Sequence, residues 1–193
     1  MRERRLGEFV LVGRLGSGGM GTVFRARHQP TGRVVAIKLL ASSLAGEERL
    51  RAAFADEVRA VAALAHPNVV AVYDHGEVAS SEEGGPLVVG APWMAMELAE
   101  RGDLGAWRGR VGPLQLVAIL RSMLDALAHA HARRVLHRDL KPQNVLVGGD
   151  RPGLKLSDFG MADLLGDDRP RGGGTPAYMA PEQLAHRWRD FGP

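Results

Sequence analysis

Hydrophobic and polar positions over residues 8–40 fall in short apolar runs and one alternating stretch. Phe9-Val-Leu-Val12 precedes a glycine-rich turn, Thr22-Val-Phe-Arg-Ala-Arg27 alternates, and Arg33 to Leu40 is a β-branched run, so this stretch predicts strands. Gln29-Pro-Thr-Gly32 marks a turn among them. The period then lengthens. Leu50, Phe54, Val58, Val61 and Ala65 recur at helical spacing, which predicts a helix over 47–65, stopped by His66-Pro-Asn68. A strand is predicted at Val69–Tyr73, a polar loop over 76–86, and another strand up to about Leu98. Beyond Gly102 the spacing is helical again. Leu116, Ile119, Leu120, Met123, Leu124 and Leu127 form one apolar stripe, with Pro113 at the start of the helix. Short strands follow around 145–147 and 154–156, and 161–174 is Gly- and Asp-rich loop. A small strand-rich lobe with one helix precedes a helical lobe, with no internal repeat. The expected class is α+β.

Composition narrows the chemistry. Of the 193 residues, 45% are hydrophobic and 24% charged, the mix of a globular chain. That length suffices to bury roughly 70% of the unfolded surface without disulfides or metal. The absence of cysteine excludes thiol catalysis, a disulfide framework and thiolate zinc sites. No apolar run reaches the ~18 residues of a membrane span, and no apolar signal core follows the basic N-terminus, so a cytoplasmic location is expected. Residues 1–38 carry eight basic and two acidic side chains, but these are scattered among strand-like residues. No nucleic-acid face is therefore expected. Among the 25 Lys and Arg residues only Lys38, Lys141 and Lys155 are lysine, and in so Arg-rich a chain a lysine points to a specific task.

Three segments carry candidate chemistry. Gly16-Ser-Gly-Gly-Met-Gly-Thr-Val23 fits either a dinucleotide fold or a loop that covers phosphates, and an ordinary glycine-rich turn would also produce it. The dinucleotide version runs from strand into helix; here the loop runs into a strand, which makes it a hairpin. Its glycines let backbone N–H groups approach phosphates without Cβ clashes. Downstream, Val35-Ala-Ile-Lys38 puts a cation on a half-buried strand, where it needs an anionic partner. Glu57 on the following helix is the best candidate. Last come His137-Arg-Asp-Leu-Lys-Pro-Gln-Asn144 and Leu154-Lys-Leu-Ser-Asp-Phe-Gly160. Asp139 can accept a proton from a hydroxyl nucleophile, Lys141 can neutralise a phosphoryl group in flight, and Asn144 and Asp158 offer hard oxygen ligands suited to Mg²⁺. Taken singly, Asp139 could be a turn residue, Asp158 a cap and His137 a core histidine; the ordered set argues for chemistry.

The set, completed by Ala180-Pro-Glu182, resembles the eukaryotic-type protein kinase family across nearly the whole chain. The resemblance implies a bilobal fold with ATP in the cleft between lobes. Residues 1–98 would be the N-lobe and hinge start, and 99–193 an incomplete C-lobe. It assigns ATP binding to Leu15, Gly16, Ser17, Gly18, Gly19, Met20, Gly21, Thr22 and Val23. Val23, Ala36 and Leu146 would sandwich the adenine, with Met96 as gatekeeper and Glu97 to Ala99 as the hinge. Lys38 would hold the α- and β-phosphates and pair with Glu57; Asp139 would orient the substrate hydroxyl, helped by Lys141. Asn144 and Asp158 would bind Mg²⁺, or Mn²⁺ in its place. Arg138, Phe159, Gly160, Thr175 and Glu182 would belong to the activation machinery. Lys141 and Gly174-Thr-Pro-Ala-Tyr178 resemble the serine/threonine branch, and Gly18-Gly-Met-Gly21 with Ala180-Pro-Glu-Gln-Leu184 resembles its bacterial members. Protein substrates are implied.

Two departures stand out. Between Met161 and Met179 the only hydroxyls are Thr175 and Tyr178, and Thr175 matches a bracing position. Activity without loop phosphorylation is therefore expected, or Asp167 or Asp168 pairing with Arg138. The sequence also stops eleven residues past Glu182, whereas family members continue through several helices. An exposed apolar patch around Leu116, Leu120, Leu124 and Leu127 follows as an expectation, covered by a dimer or other partner, with weak activity of these 193 residues alone. The alternatives are a nucleotide-binding pseudokinase-like module and a small-molecule kinase of related fold. The second typically lacks the Thr175–Glu182 peptide platform.

Overall fold

A computed structural model describes residues 4–18, 21–41, 48–80, 87–150, 153–159 and 176–185. The chain divides into two compact units, one of residues 1–62 with 71–98, the other of 63–70 with 99–193.

The first unit is an antiparallel sheet with one helix. Its strands are β1 (Arg5–Leu6), β2 (Phe9–Gly18), β3 (Gly21–His28), β4 (Val34–Leu40), β5 (Val72–Glu77) and β6 (Pro92–Met96), in the order β1-β2-β3-β4-β6-β5. Sequence alternation becomes two faces. Val35, Ile37 and Leu39 of β4 join Phe9, Phe24, Ala26, Trp93 and Ala95 in the core, while Ala36, Lys38 and Leu40 take the opposite face. Helix α1 (Glu48–Ala62) buries Phe54, Val58 and Val61 at the spacing that predicted it. An Arg51–Glu77 ion pair at 3.0 Å ties α1 to β5. Two register shifts in β2, after Leu11 and after Arg14, kink that strand before its glycine-rich end.

The second unit is built on helix α2 (Pro113–His131) and a two-stranded ladder, β7 (Val145–Val147) with β8 (Leu154–Leu156). Pro113 is the first residue of α2 and Gln115 accepts the Gly112 N–H at 2.9 Å, so the helix start is capped by its own sequence. Ala126 and Ala130 are its fully buried residues. The expected apolar stripe is largely outward: Leu116, Leu120 and Leu124 are 48%, 46% and 65% exposed. Segment 63–70 docks on β8 through Val70 N–H to Leu156 O at 2.9 Å and Asn68 Nδ2 to Leu154 O at 2.8 Å. Val69 and Val70, expected to open a strand with Tyr73, belong to this docking segment; the strand itself runs from Val72 to Glu77. Two 3₁₀ turns, Leu104–Trp107 and Pro142–Asn144, and a short helix α3 (Pro181–Leu184) complete the unit with a third such turn at Pro176–Tyr178. Among the described residues no helix is long and apolar enough to cross a membrane.

Candidate active site

The glycine-rich segment is a hairpin. β2 and β3 pair Gly16 with Val23, Ser17 with Thr22 and Gly18 with Gly21, so the loop runs strand to strand as its sequence requires. Gly19 and Met20 lie outside the described residues. The glycines differ in what the fold asks of them. A Cβ on Gly16 or Gly18 would meet nothing within 4 Å, whereas on Gly21, at φ +140°, it would lie 2.1 Å from the Leu39 carbonyl oxygen. Leu15, Ser17 and Gly18 are exposed, and Thr22 and Val23 half-buried.

Register places the next candidates side by side. Lys38 sits opposite Val23 on β3 and Met94 on β6, and Ala36 opposite Met96, so Val23, Ala36, Lys38 and Met96 share one face of the sheet. Lys38 is buried, a costly place for an ammonium without anionic company. Glu57 is half-buried on α1, beside Val58. Glu97, read from the sequence only as a hinge residue, proves to be buried and structural as well. Its N–H donates to Ala71 O at 2.8 Å and its Oε2 accepts the Ala71 N–H at 3.2 Å. Ala99 is half-buried.

In the second unit, one carboxylate gathers the candidates. Asp139 Oδ2 accepts Lys141 Nζ at 2.7 Å and Asn144 Nδ2 at 2.9 Å; the same Nδ2 donates to the Asp139 carbonyl at 2.8 Å. The Asp139 and Lys141 side chains are 11% and 14% exposed, so this is a charge-assisted pair with little water to screen it. Asn144 directly precedes β7 and Ser157 directly follows β8. The ladder brings them together, with Ser157 N–H on Asn144 O at 2.9 Å and Ser157 Oγ on the same oxygen at 3.2 Å. Asp158 thereby emerges at the ladder end that carries Asn144. Leu146, in the middle of β7, is half-buried and bridges to Asp103.

Backbone conformation is unusual at two positions beside these groups. Among the described non-glycine residues, positive φ occurs at Arg134, Arg138 (+62°) and Asp158 (+60°). Such conformations cost of order 1–3 kcal/mol and cluster at functional sites. His137 and Phe159, the chain neighbours of these two, are buried, with ring centroids 4.5 Å apart. Burial lowers the pKa of His137, against the opposing pull of the Asp158 and Asp139 charges.

Of the activation-segment candidates, Arg138 and Phe159 are placed as above and Glu182 is half-buried in α3. Gly160 and Thr175, and with them Asp167 and Asp168, lie outside the described residues. A residue missed by the sequence reading is Gln183. Its Oε1 accepts the Ala180 N–H at 3.0 Å and its Nε2 donates to Arg138 O at 2.7 Å. The local half of this was legible, because a Gln three residues after a helix start is a capping signal; the tertiary half was not.

Among the described residues no cluster of three His, Cys, Asp or Glu could hold a metal by itself. Asn144 and Asp158 offer only oxygens. Asn144 is held through Nδ2, so those bonds do not use its Oδ1, and two such oxygen donors would suit a cation that takes its other ligands from phosphate and water.

A protein kinase domain model matches residues 9–191. The serine/threonine-protein kinase Pkn1 of Myxococcus xanthus is 38% identical over 197 residues, covering 96% of this chain and 27% of that protein. The serine/threonine-protein kinase PknF of Mycobacterium tuberculosis is 38% identical over 192 residues, covering 91% of this chain and 38% of its own length. A crystal structure of the PknI kinase domain of Mycobacterium tuberculosis superposes with a TM-score of 0.67 at 30% identity, covering 83% of this chain and 62% of that one. A mutant of the same domain gives 0.72 at 28%, covering 95% and 67%. The chain thus spans between 27% and 38% of the length of these curated relatives.

Proposed function

Because the chain belongs to the protein kinase domain family, we propose that it transfers the γ-phosphoryl group of ATP to serine or threonine hydroxyls of protein substrates. The observation that carries this reading is the asymmetry of Asp139. Lys141 and Asn144 both occupy Oδ2, and among the described residues Oδ1 receives no hydrogen bond from either. Oδ1 is then the atom that accepts the bond from a substrate hydroxyl. The hydroxyl oxygen attacks the γ-phosphorus, the bond from that phosphorus to the β–γ bridging oxygen breaks, and ADP leaves with the electron pair. The hydroxyl proton passes to Asp139. Lys141 supplies positive charge against the phosphoryl group as its charge redistributes.

The remaining roles follow residue by residue. The backbone from Leu15 to Val23 covers the phosphates, Lys38 holds them and pairs with Glu57, and Val23, Ala36 and Leu146 pack against the base. Met96 sits beside the base, whose edge meets the backbone of Glu97 and Ala99. Mg²⁺ bound with ATP neutralises phosphate charge, and Asn144 Oδ1 and Asp158 are the groups that would hold it. Arg138, Phe159, Gly160, Thr175 and Glu182 order the activation segment. The test pairs nucleotide affinity with product analysis. Mg²⁺ should tighten ATP binding in the wild type and fail to do so in Asp158→Ala, and acid hydrolysis of a phosphorylated protein substrate should release phosphoserine or phosphothreonine. Binding of ATP indifferent to Mg²⁺, or phosphotyrosine alone, would contradict the reading.

A further inference from the structure

The approach to Asp139 is a strained three-residue turn. Asp139 N–H donates to His137 O at 2.8 Å across Arg138, whose φ is +62°. An i to i+2 bond around a residue of positive φ is the rarer and costlier form of the γ-turn. It persists only where the surroundings hold it. Two side-chain amides do so. Asn144 Nδ2 holds the Asp139 carbonyl at 2.8 Å, and Gln183 Nε2 holds the Arg138 carbonyl at 2.7 Å. These two carbonyls belong to the peptide units on either side of the Asp139 Cα. With both units pinned, the direction of the Asp139 side chain is set. Gln183 stands at the third position of α3, and its Oε1 is engaged with the Ala180 N–H. Its amide plane is therefore fixed, with the donor end aimed at Arg138.

We propose that Gln183 is a positioning residue for Asp139, coupling the Ala180–Leu184 segment to the carboxylate that accepts the substrate proton; the proposal rests on the phosphotransfer reading above. The chemistry required at position 183 is a long side chain with a donor for Arg138 O. The acceptor for Ala180 N–H serves only to orient it.

Two substitutions separate donor from acceptor. Gln183→Glu keeps an oxygen for Ala180 N–H and sets a carboxylate against the Arg138 carbonyl. Gln183→Lys keeps a donor for that carbonyl and gives up the cap. Gln183→Glu should lower kcat about tenfold, the effect of replacing the donor on a part-buried carbonyl by a carboxylate, with KM for ATP within about twofold. Gln183→Lys should stay within about threefold of wild type in kcat. Exchange of the Asp139 amide with deuterium should quicken about tenfold in Gln183→Glu and remain near wild type in Gln183→Lys. A wild-type kcat in Gln183→Glu, or an equal loss in Gln183→Lys, would reduce Gln183 to a helix cap and overturn the proposal. If the wild type transfers no phosphate, the phosphotransfer reading fails on its own. The exchange measurement then still decides: unchanged Asp139 exchange in Gln183→Glu overturns the clamp.

Discussion

Gly21→Ala should unfold the hairpin end that Gly16→Ala and Gly18→Ala leave intact, although all three glycines sit in one motif. At Gly21 the backbone has φ +140°, and a Cβ would lie 2.1 Å from Leu39 O and 2.9 Å from the Leu40 Cα. Both obstacles are main chain of β4, so no rotamer change relieves them. Either the residue keeps a disfavoured φ or the end pairs Gly21–Leu40 and Thr22–Leu39 part. Strain of about 1–3 kcal/mol and ladder bonds of about 0.5–1.5 kcal/mol each put the cost near 2–4 kcal/mol. For a chain of this length that is a fall in Tm of about 5–15 °C. At Gly16 and Gly18 the space is open, so alanine should cost within about 0.5 kcal/mol. If phosphates approach that backbone, the same two substitutions should still weaken ATP binding, by about tenfold for a lost backbone contact. Thermal melts and nucleotide titration of the three variants separate fold from function. A Gly21→Ala protein melting like wild type would refute the steric argument. Wild-type ATP affinity in both Gly16→Ala and Gly18→Ala would refute the assignment of the loop.

Other outcomes follow from the same geometry. Asn144→Leu removes both Nδ2 bonds and leaves the Asp139 carbonyl unpartnered, so urea unfolding should show a loss of about 2–4 kcal/mol, and no loss would contradict the pinning. Leu124→Gln, at a position 65% exposed, should change stability by less than about 0.5 kcal/mol. Ala130→Leu on the buried side of the same helix should cost about 1–3 kcal/mol, and the reverse order would mean that α2 is turned otherwise. Burial of its Nε2, then Arg133 and the neighbouring His66, lower the pKa of His129 below 6.5, against Asp125. The folded state therefore holds fewer protons there than the unfolded state, and this contribution to stability is present above pH 6.5 and lost as pH falls below it. Melting between pH 7.5 and 5.5 should fall more steeply for wild type than for His129→Gln; parallel curves would reject the assignment.

Much of this molecule is legible in the local pattern of its sequence. Residues 145–147 and 154–156 are strands because the triplets Val-Leu-Val and Leu-Lys-Leu are fenced by Asn144 and Ser157 at one end of the ladder and by Gly148 and Gly153 at the other. Pro113 opens α2 for the reason proline favours a first helical turn. Glu57 and Lys38 fall on the elements expected for them, and Asp139, Lys141 and Asn144 meet at one carboxylate oxygen. What escaped was tertiary. Val69 and Val70 have the side chains of a strand, but the Val69 N–H goes to His66 O and the Val70 N–H to Leu156 O, and the strand starts only where Val72 pairs with Met96. The polar Asp74, His75 and Glu77 could not announce a ladder, because a sheet edge with one wet face tolerates them. The Glu97 carboxylate on Ala71 and the Gln183 amide on Arg138 join residues 26 and 45 positions apart, beyond any local rule.

The central claim is that Asp139 serves a phosphotransferase. Its most direct test is transfer of labelled γ-phosphate from MgATP to a Ser/Thr protein substrate by wild type and by Asp139→Asn. The substitution keeps a side chain of the same shape for Asn144 to hold while removing the proton acceptor. Label should appear with wild type and fall by about 10²–10⁴-fold in Asp139→Asn, with ATP affinity preserved. Equal transfer by both proteins, or none by a wild type that binds MgATP, would contradict it.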